Sequence, residues 1–108
     1  MRLKLNSLVG AVALAVGSQV TWAQETIEVR IGHVGPTSGQ IAHLGKDNEM
    51  GARMAVEELN AKGVKIGGKK AVFKLFAEDD AGDPKQGTAA AQKLVDSKVH
   101  GVVGHLNS

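Results

Sequence analysis

Between Ile27 and Gly104 the apolar residues change their period four times, and this alternation constrains the fold more than any other feature of the chain. Ile27, Val29 and Ile31 alternate with Glu28 and Arg30, the period of a strand, and His33 and Val34 extend it. Gly35-Pro36-Thr37-Ser38-Gly39 is turn chemistry and ends it. Ala52, Ala55, Val56 and Leu59 then share one face of a helix predicted from about Leu44 to Lys62, with Asp47, Glu49, Arg53, Glu57 and Glu58 mostly elsewhere. Gly63 is its expected C-terminal cap, and Gly67-Gly68 makes a turn. Ala71 to Ala77 is a second strand, with Phe73, Leu75 and Ala77 on one side and Val72, Lys74 and Phe76 on the other. It runs into Glu78-Asp79-Asp80-Ala81-Gly82. Asp83, Pro84 and Gln86 form a capping-box start to a second helix, which reaches about Ser97 with Ala90, Ala91, Leu94 and Val95 inward. Gly101-Val102-Val103-Gly104 reads as a short buried strand.

Strands that alternate with helices pair in parallel through right-handed crossovers. The expected fold class is therefore α/β, a Rossmann-like parallel sheet with the order βαβαβ. Three strands and two helices do not cover both faces of a parallel sheet, which must be buried on both sides. The segment 24–108 thus reads as the front of a larger α/β domain.

The residues before it read as an export signal. Arg2 and Lys4 precede the apolar run Leu8–Val16, and Thr21-Trp22-Ala23 supplies a small-residue cut site before Gln24. The run is shorter than the roughly 20 residues that span a bilayer. Cutting after Ala23 removes 23 of the 108 residues and leaves 85. The whole chain has 13 Lys+Arg against 11 Asp+Glu, and the surplus is Arg2 and Lys4, so the mature chain is neutral. Neutrality and the absence of Tyr, with only Phe73 and Phe76 left as aromatics, argue against a nucleic-acid partner. With no cysteine there is no disulfide, no thiolate metal site and no lipid-modified N-terminus. The expectation is a periplasmic chain that is not inserted in the membrane once the signal is removed.

In an open α/β sheet, ligands bind beyond the carboxyl ends of the strands, where the strand order reverses. Three loops qualify: Gly35–Gly39 with Leu44 beyond it, Glu78–Asp83, and His105–Ser108. If the strand order is 2-1-3, the first and third flank the switch point. Thr37, Ser38, Asn107 and Ser108 then offer hydroxyl and amide groups to a polar ligand, and the N–H groups of a helix after Ser108 would suit a carboxylate.

Other chemistries fit poorly. The loop Gly32–Gly39 is glycine-rich but is not G-x-G-x-x-G, and the acidic cluster lies about 40 residues on rather than about 20. The run Glu78-Asp79-Asp80 with Asp83 lacks the spacing of a calcium loop. His33, His43, His100 and His105 fall on separate elements, none paired at i, i+4, and no G-x-S-x-G elbow is present. Each histidine reads as a satisfied loop or strand residue, and for His105, beside the expected site, a functional hydrogen bond is the competing reading. Lys62, Lys65, Lys69 and Lys70 make a basic turn that reads as a solvated face. No catalytic constellation, cofactor or metal is expected.

The chain resembles the N-terminal part of the branched-chain amino-acid binding proteins, type I periplasmic receptors of ABC transporters. The resemblance rests on the opening strand with Gly35-Pro36-Thr37-Ser38-Gly39, on Gly51-Ala52-Arg53 and Ala55–Gly63, on Asp79–Gln86, and on Val103–Ser108. It implies two Rossmann-like lobes that close on a ligand, of which this chain starts the first, and a membrane permease as partner. It implies that Ser108 meets the α-carboxylate of an amino acid and that Leu44, often an aromatic in the family, lines the side-chain pocket, with Asn107 beside them. Some members carry bridged cysteines at the positions of Gly82 and Asn107. A sensor of the same fold and a periplasmic enzyme are the competing expectations.

Overall fold

The computed structural model describes residues 24–107. The export signal and Ser108 lie outside the described residues. The elements are β1 (Thr26–Gly35), α1 (Ala42–Lys62), β2 (Lys65–Ile66), β3 (Lys69–Asp79), α2 (Pro84–Asp96) and β4 (Gly101–Val103). They form one sheet in the order β2-β3-β1-β4. β1 is central and pairs in parallel with β3 from Thr26↔Lys70 to Gly35↔Asp79, and with β4 from Ile31↔Gly101 to His33↔Val103. The three long-range strands thus have the expected 2-1-3 order. The sequence reading missed β2, which is antiparallel to β3 through Lys65↔Lys70 and Ile66↔Lys69, so that Gly67-Gly68 closes a hairpin. Two residues are too few for a period to show.

Alternate residues of β1 serve opposite faces. Val34 is fully buried against Ala90 and Leu94 of α2, with Phe76 and Val99 at the margin. On the other face His33, also fully buried, reaches Asn48 of α1, and Val56 of α1 is covered there. The helix ends follow local chemistry. Asp83 has extended backbone and its carboxylate accepts the Gln86 N–H at 3.0 Å, with Pro84 in the first turn. Gly63 closes α1 in the left-handed conformation, φ 66°. The Arg30 guanidinium donates to the Ser97 carbonyl at 2.8 Å, a cation at the C-terminal end of α2, and lies 5.6 Å from the Phe76 ring centroid.

Two expectations about the core fail. Val95 is 66% exposed, because α2 turns only Gly87, Ala90 and Leu94 fully inward. β4 is exposed along its length, with Val102 and Val103 about half open, since it is the edge strand and no neighbour is described beyond it. Ala55 on α1 is likewise exposed. It borders an apolar groove of about 460 Å³ that includes Ile31, Ala52, Val56, Leu59 and Val103.

The two sheet edges differ in kind. On one side stand β2 and β3 with Lys65, Lys69, Lys70 and Lys74 exposed. There the Asn60 side chain accepts the Phe73 N–H at 2.8 Å and donates to the Phe73 carbonyl at 2.9 Å, satisfying both free backbone groups. On the other side β4 carries no charged residue. No helix among the described residues is long and apolar enough to cross a membrane.

Candidate functional site

Three loops gather at the carboxyl ends of β1, β3 and β4. The first runs from Pro36 to Ile41, the second from Asp80 to Asp83, and the third from Gly104 to Asn107. They meet tightly: a Cβ added to Gly82 would lie 3.6 Å from Ile41 Cδ1 and 4.0 Å from Asn107 Nδ2, atoms of the first and third loops.

Asp79, the last residue of β3, organises the first loop. Its carboxylate accepts the Thr37 N–H at 2.7 Å, the Ser38 N–H at 3.3 Å and the Ala81 N–H at 2.8 Å, and the Ser38 hydroxyl donates to its second oxygen. These donors, the Ser38 hydroxyl first, hold Asp79 down from its ordinary 3.8 to about 2. The loop N–H groups that would receive a pyrophosphate in a dinucleotide fold are thus committed to a carboxylate of the protein itself. Of the acidic run, Asp79, Asp80 and Asp83 are engaged by N–H or O–H donors of the protein, and Glu78 lies 3.7 Å from the Lys93 ammonium. Among the described residues no three carboxylate, histidine or cysteine groups converge.

Asp80 ties the other two loops together. It is 3% exposed. One oxygen accepts the Gly82 N–H at 2.9 Å and the other lies 3.0 Å from Nδ1 of His105. Its own N–H donates to the Gly35 carbonyl at 3.1 Å. His105 is thus satisfied within the protein, and its partner is Asp80. His105 and Asn107 border a cavity of about 420 Å³ with Asp80, Asp83 and Thr88. The Asn107 Oδ1 is buried without a hydrogen-bond partner.

Leu44 stands on the first turn of α1, 46% exposed, at the rim of the first loop, and lines neither this cavity nor the apolar groove. Leu44 is thus on the helix that follows the first loop and Asn107 on the third loop, while Ser108 lies outside the described residues. The other histidines are placed differently. His43 is exposed, and His100 accepts the Arg30 N–H at 2.9 Å while its own N–H donates to the Arg30 carbonyl. His33 is bonded only at Nε2, to Asn48 at 2.9 Å, and its Nδ1 is buried without a partner. Burial pushes its pKa below 6.5, Arg53 adds to that, and Glu49 and Asp80 oppose it.

The sequence reading missed two further supports of the site. Gly45, in the first helical turn, rests on the Pro36 backbone: an added Cβ would fall on the Pro36 carbonyl and 2.9 Å from its nitrogen. Gly104 meets Val34 in the same manner, where an added Cβ would strike the Val34 carbonyl oxygen. A glycine that admits a neighbouring backbone carries no sequence signal of its own beside one that ends an element.

Comparison with known proteins adds to this geometry. The family model described as periplasmic binding protein matches residues 28–108. The chain is 40% identical over 101 residues to the Leu/Ile/Val-binding protein of Escherichia coli K12, covering 94% of this chain and 26% of that protein. It is 41% identical over 109 residues to the leucine-specific-binding protein of Salmonella typhimurium, covering 100% and 28%. It is 37% identical over 105 residues to the leucine-, isoleucine-, valine-, threonine- and alanine-binding protein of Pseudomonas aeruginosa, covering 97% and 27%. Among solved structures it is similar to the branched-chain amino acid transporter substrate binding protein LivJ of Streptococcus pneumoniae in complex with isoleucine. That likeness has a TM-score of 0.64 at 32% identity, covering 73% of this chain and 22% of that one. The chain spans about a quarter of the length of these curated relatives.

Proposed function

Because the chain belongs to the periplasmic binding protein family, we propose that it supplies the opening part of the first lobe of a receptor for leucine, isoleucine, valine or closely similar amino acids. The receptor hands its ligand to an ABC permease and catalyses no reaction. The observation that carries this reading is the 40% identity over 94% of the chain to a Leu/Ile/Val-binding protein. It runs through the three loops at the strand ends. The chain reaches its compartment by the 1–23 export signal, cut after Ala23, and works in the periplasm as residues 24 onward.

In this reading the amino-acid carboxylate meets the Ser108 hydroxyl and neighbouring backbone N–H groups, Asn107 lies beside it, and Leu44 lines the pocket for the apolar side chain. An aliphatic residue at Leu44 suits an aliphatic ligand through burial of apolar surface. Groups for the ammonium come from the rest of the receptor. Closure of two lobes around the ligand creates the form that docks on the permease.

The test is a chimera in which residues 24–108 replace the matching opening segment of the Escherichia coli Leu/Ile/Val-binding protein. Calorimetry with leucine, isoleucine and valine is expected to show micromolar or tighter binding. A folded chimera that binds none of them sinks the proposal. The isolated 24–108 segment is expected to bind none, and micromolar affinity there overturns the division of the site between this segment and the rest.

A further inference from the structure

We infer that His105 is a positioning residue for the ligand-binding loop, acting through Asp80. The inference rests on the receptor reading above and adds to it a residue that touches no ligand. Asp80 is a nearly fully buried carboxylate, and burying a charge is costly unless it is hydrogen-bonded. Its bonds join the end of β1 through Gly35, the turn into α2 through Gly82, and the third loop through His105.

The third loop needs such an anchor. It leaves a strand of only three residues at the sheet edge, and the His105 bond is the side-chain hydrogen bond described for residues 104–107. The His105 ring also lies against α2 where a glycine leaves the backbone bare, with Cε1 3.6 Å from the place of a Gly87 Cβ. Two residues on, Asn107 borders the same cavity as Asp80 and His105. The segment that leads into Ser108 is therefore held at one point to the buried carboxylate of Asp80, whose backbone N–H donates in turn to the Gly35 carbonyl at the end of the central strand. A fixed loop spares the ligand the cost of ordering it on binding.

His105→Ala and His105→Asn in the chimera described above test this. The asparagine amide nitrogen occupies the place of Nδ1 and donates to Asp80 as the imidazole does, so His105→Asn is expected to bind leucine within about threefold of the parent. His105→Ala is expected to weaken binding by about tenfold or more, the scale of one hydrogen bond to a charged group. Amide hydrogen exchange at Leu106 and Asn107 of the unliganded protein is expected to quicken in His105→Ala alone. Equal leucine affinity in His105→Ala and the parent overturns the inference, as does an equal loss in both variants. If the parent chimera binds no amino acid, the receptor reading fails by itself. The exchange rates then decide the anchor: unchanged protection at Leu106 and Asn107 in His105→Ala overturns it.

Discussion

The Asp79 carboxylate accepts the Thr37 N–H at 2.7 Å, joining the end of one strand to the loop that follows its neighbour across 42 residues of sequence. The bond orders the first loop without any help from a helix cap, since Ile41, the residue before α1, makes no side-chain cap hydrogen bond. It also makes the loop sensitive to acid. The folded value for Asp79 is depressed, from 3.8 to about 2, so its contribution is present above about pH 4 and is lost as pH falls through about 2. Urea unfolding across that window is expected to show less acid loss in Asp79→Asn than in the parent. At neutral pH the variant is less stable by on the order of 1 kcal/mol, given the exposure of the carboxylate. Parallel pH profiles sink the prediction.

His33 acts at higher pH. Its ring is fully buried, and burial lowers its pKa. The unfolded chain takes up a proton near the ordinary 6.5, whereas the folded chain resists it. Stability therefore declines as pH drops below about 6.5, until the lower folded value is passed. His33→Phe is expected to flatten this slope between about pH 7 and pH 5. A slope that persists in the variant assigns the effect elsewhere.

Within α1 two glycines are expected to respond to alanine with opposite signs. Gly45 sits on the Pro36 backbone, so Gly45→Ala costs about 2 kcal/mol or more through overpacking. Gly51 has nothing within 4 Å of an added Cβ, so Gly51→Ala stabilises by roughly 0.5–1 kcal/mol through helix propensity. Thermal unfolding of the two variants beside the parent measures both, and the same sign in each defeats the argument.

Gly82 and Asn107, where the family resemblance implies a cysteine pair, lie close together here. The place of a Gly82 Cβ is 4.0 Å from Asn107 Nδ2. Gly82→Cys with Asn107→Cys is expected to oxidise to a disulfide, seen as loss of two hydrogens by mass. Closing a loop of that length contributes about 3 kcal/mol. Placing a residue with a Cβ at φ 68° takes back roughly 1. Two free thiols after air oxidation of the folded protein contradict the geometry.

How far the sequence foretold this structure depends on the range of the interaction. β1, α1, β3, α2 and the Asp83 and Gly63 caps are encoded by neighbours a few residues apart, and the sequence reading finds each of them. Parallel pairing followed from the alternation of strands and helices, while the 2-1-3 order entered the sequence reading only as a condition that the structure meets. What escaped is long-range. Asp79 and Asp80 read as loop residues because Thr37, Ser38 and His105 are 25 or more positions away. Val95 completes an apolar face of α2 that the sheet does not fully cover. Of the expected site residues, Asn107 falls on a loop the strand-end rule selects and Leu44 on the first turn of α1 beyond one, and the close approaches beside them are made by Gly45 and Gly82, whose neighbours lie on other elements.

The lysine-bordered edge and the bare β4 edge give the sheet a direction. For a chain threaded across a membrane from its N-terminus, the central strand emerges first, the guarded margin is completed next, and β4 arrives last on the unguarded side. Pairing then follows the order of delivery. No strand already seated has to be released to admit a later one, and the margin left open among the described residues is the one added last.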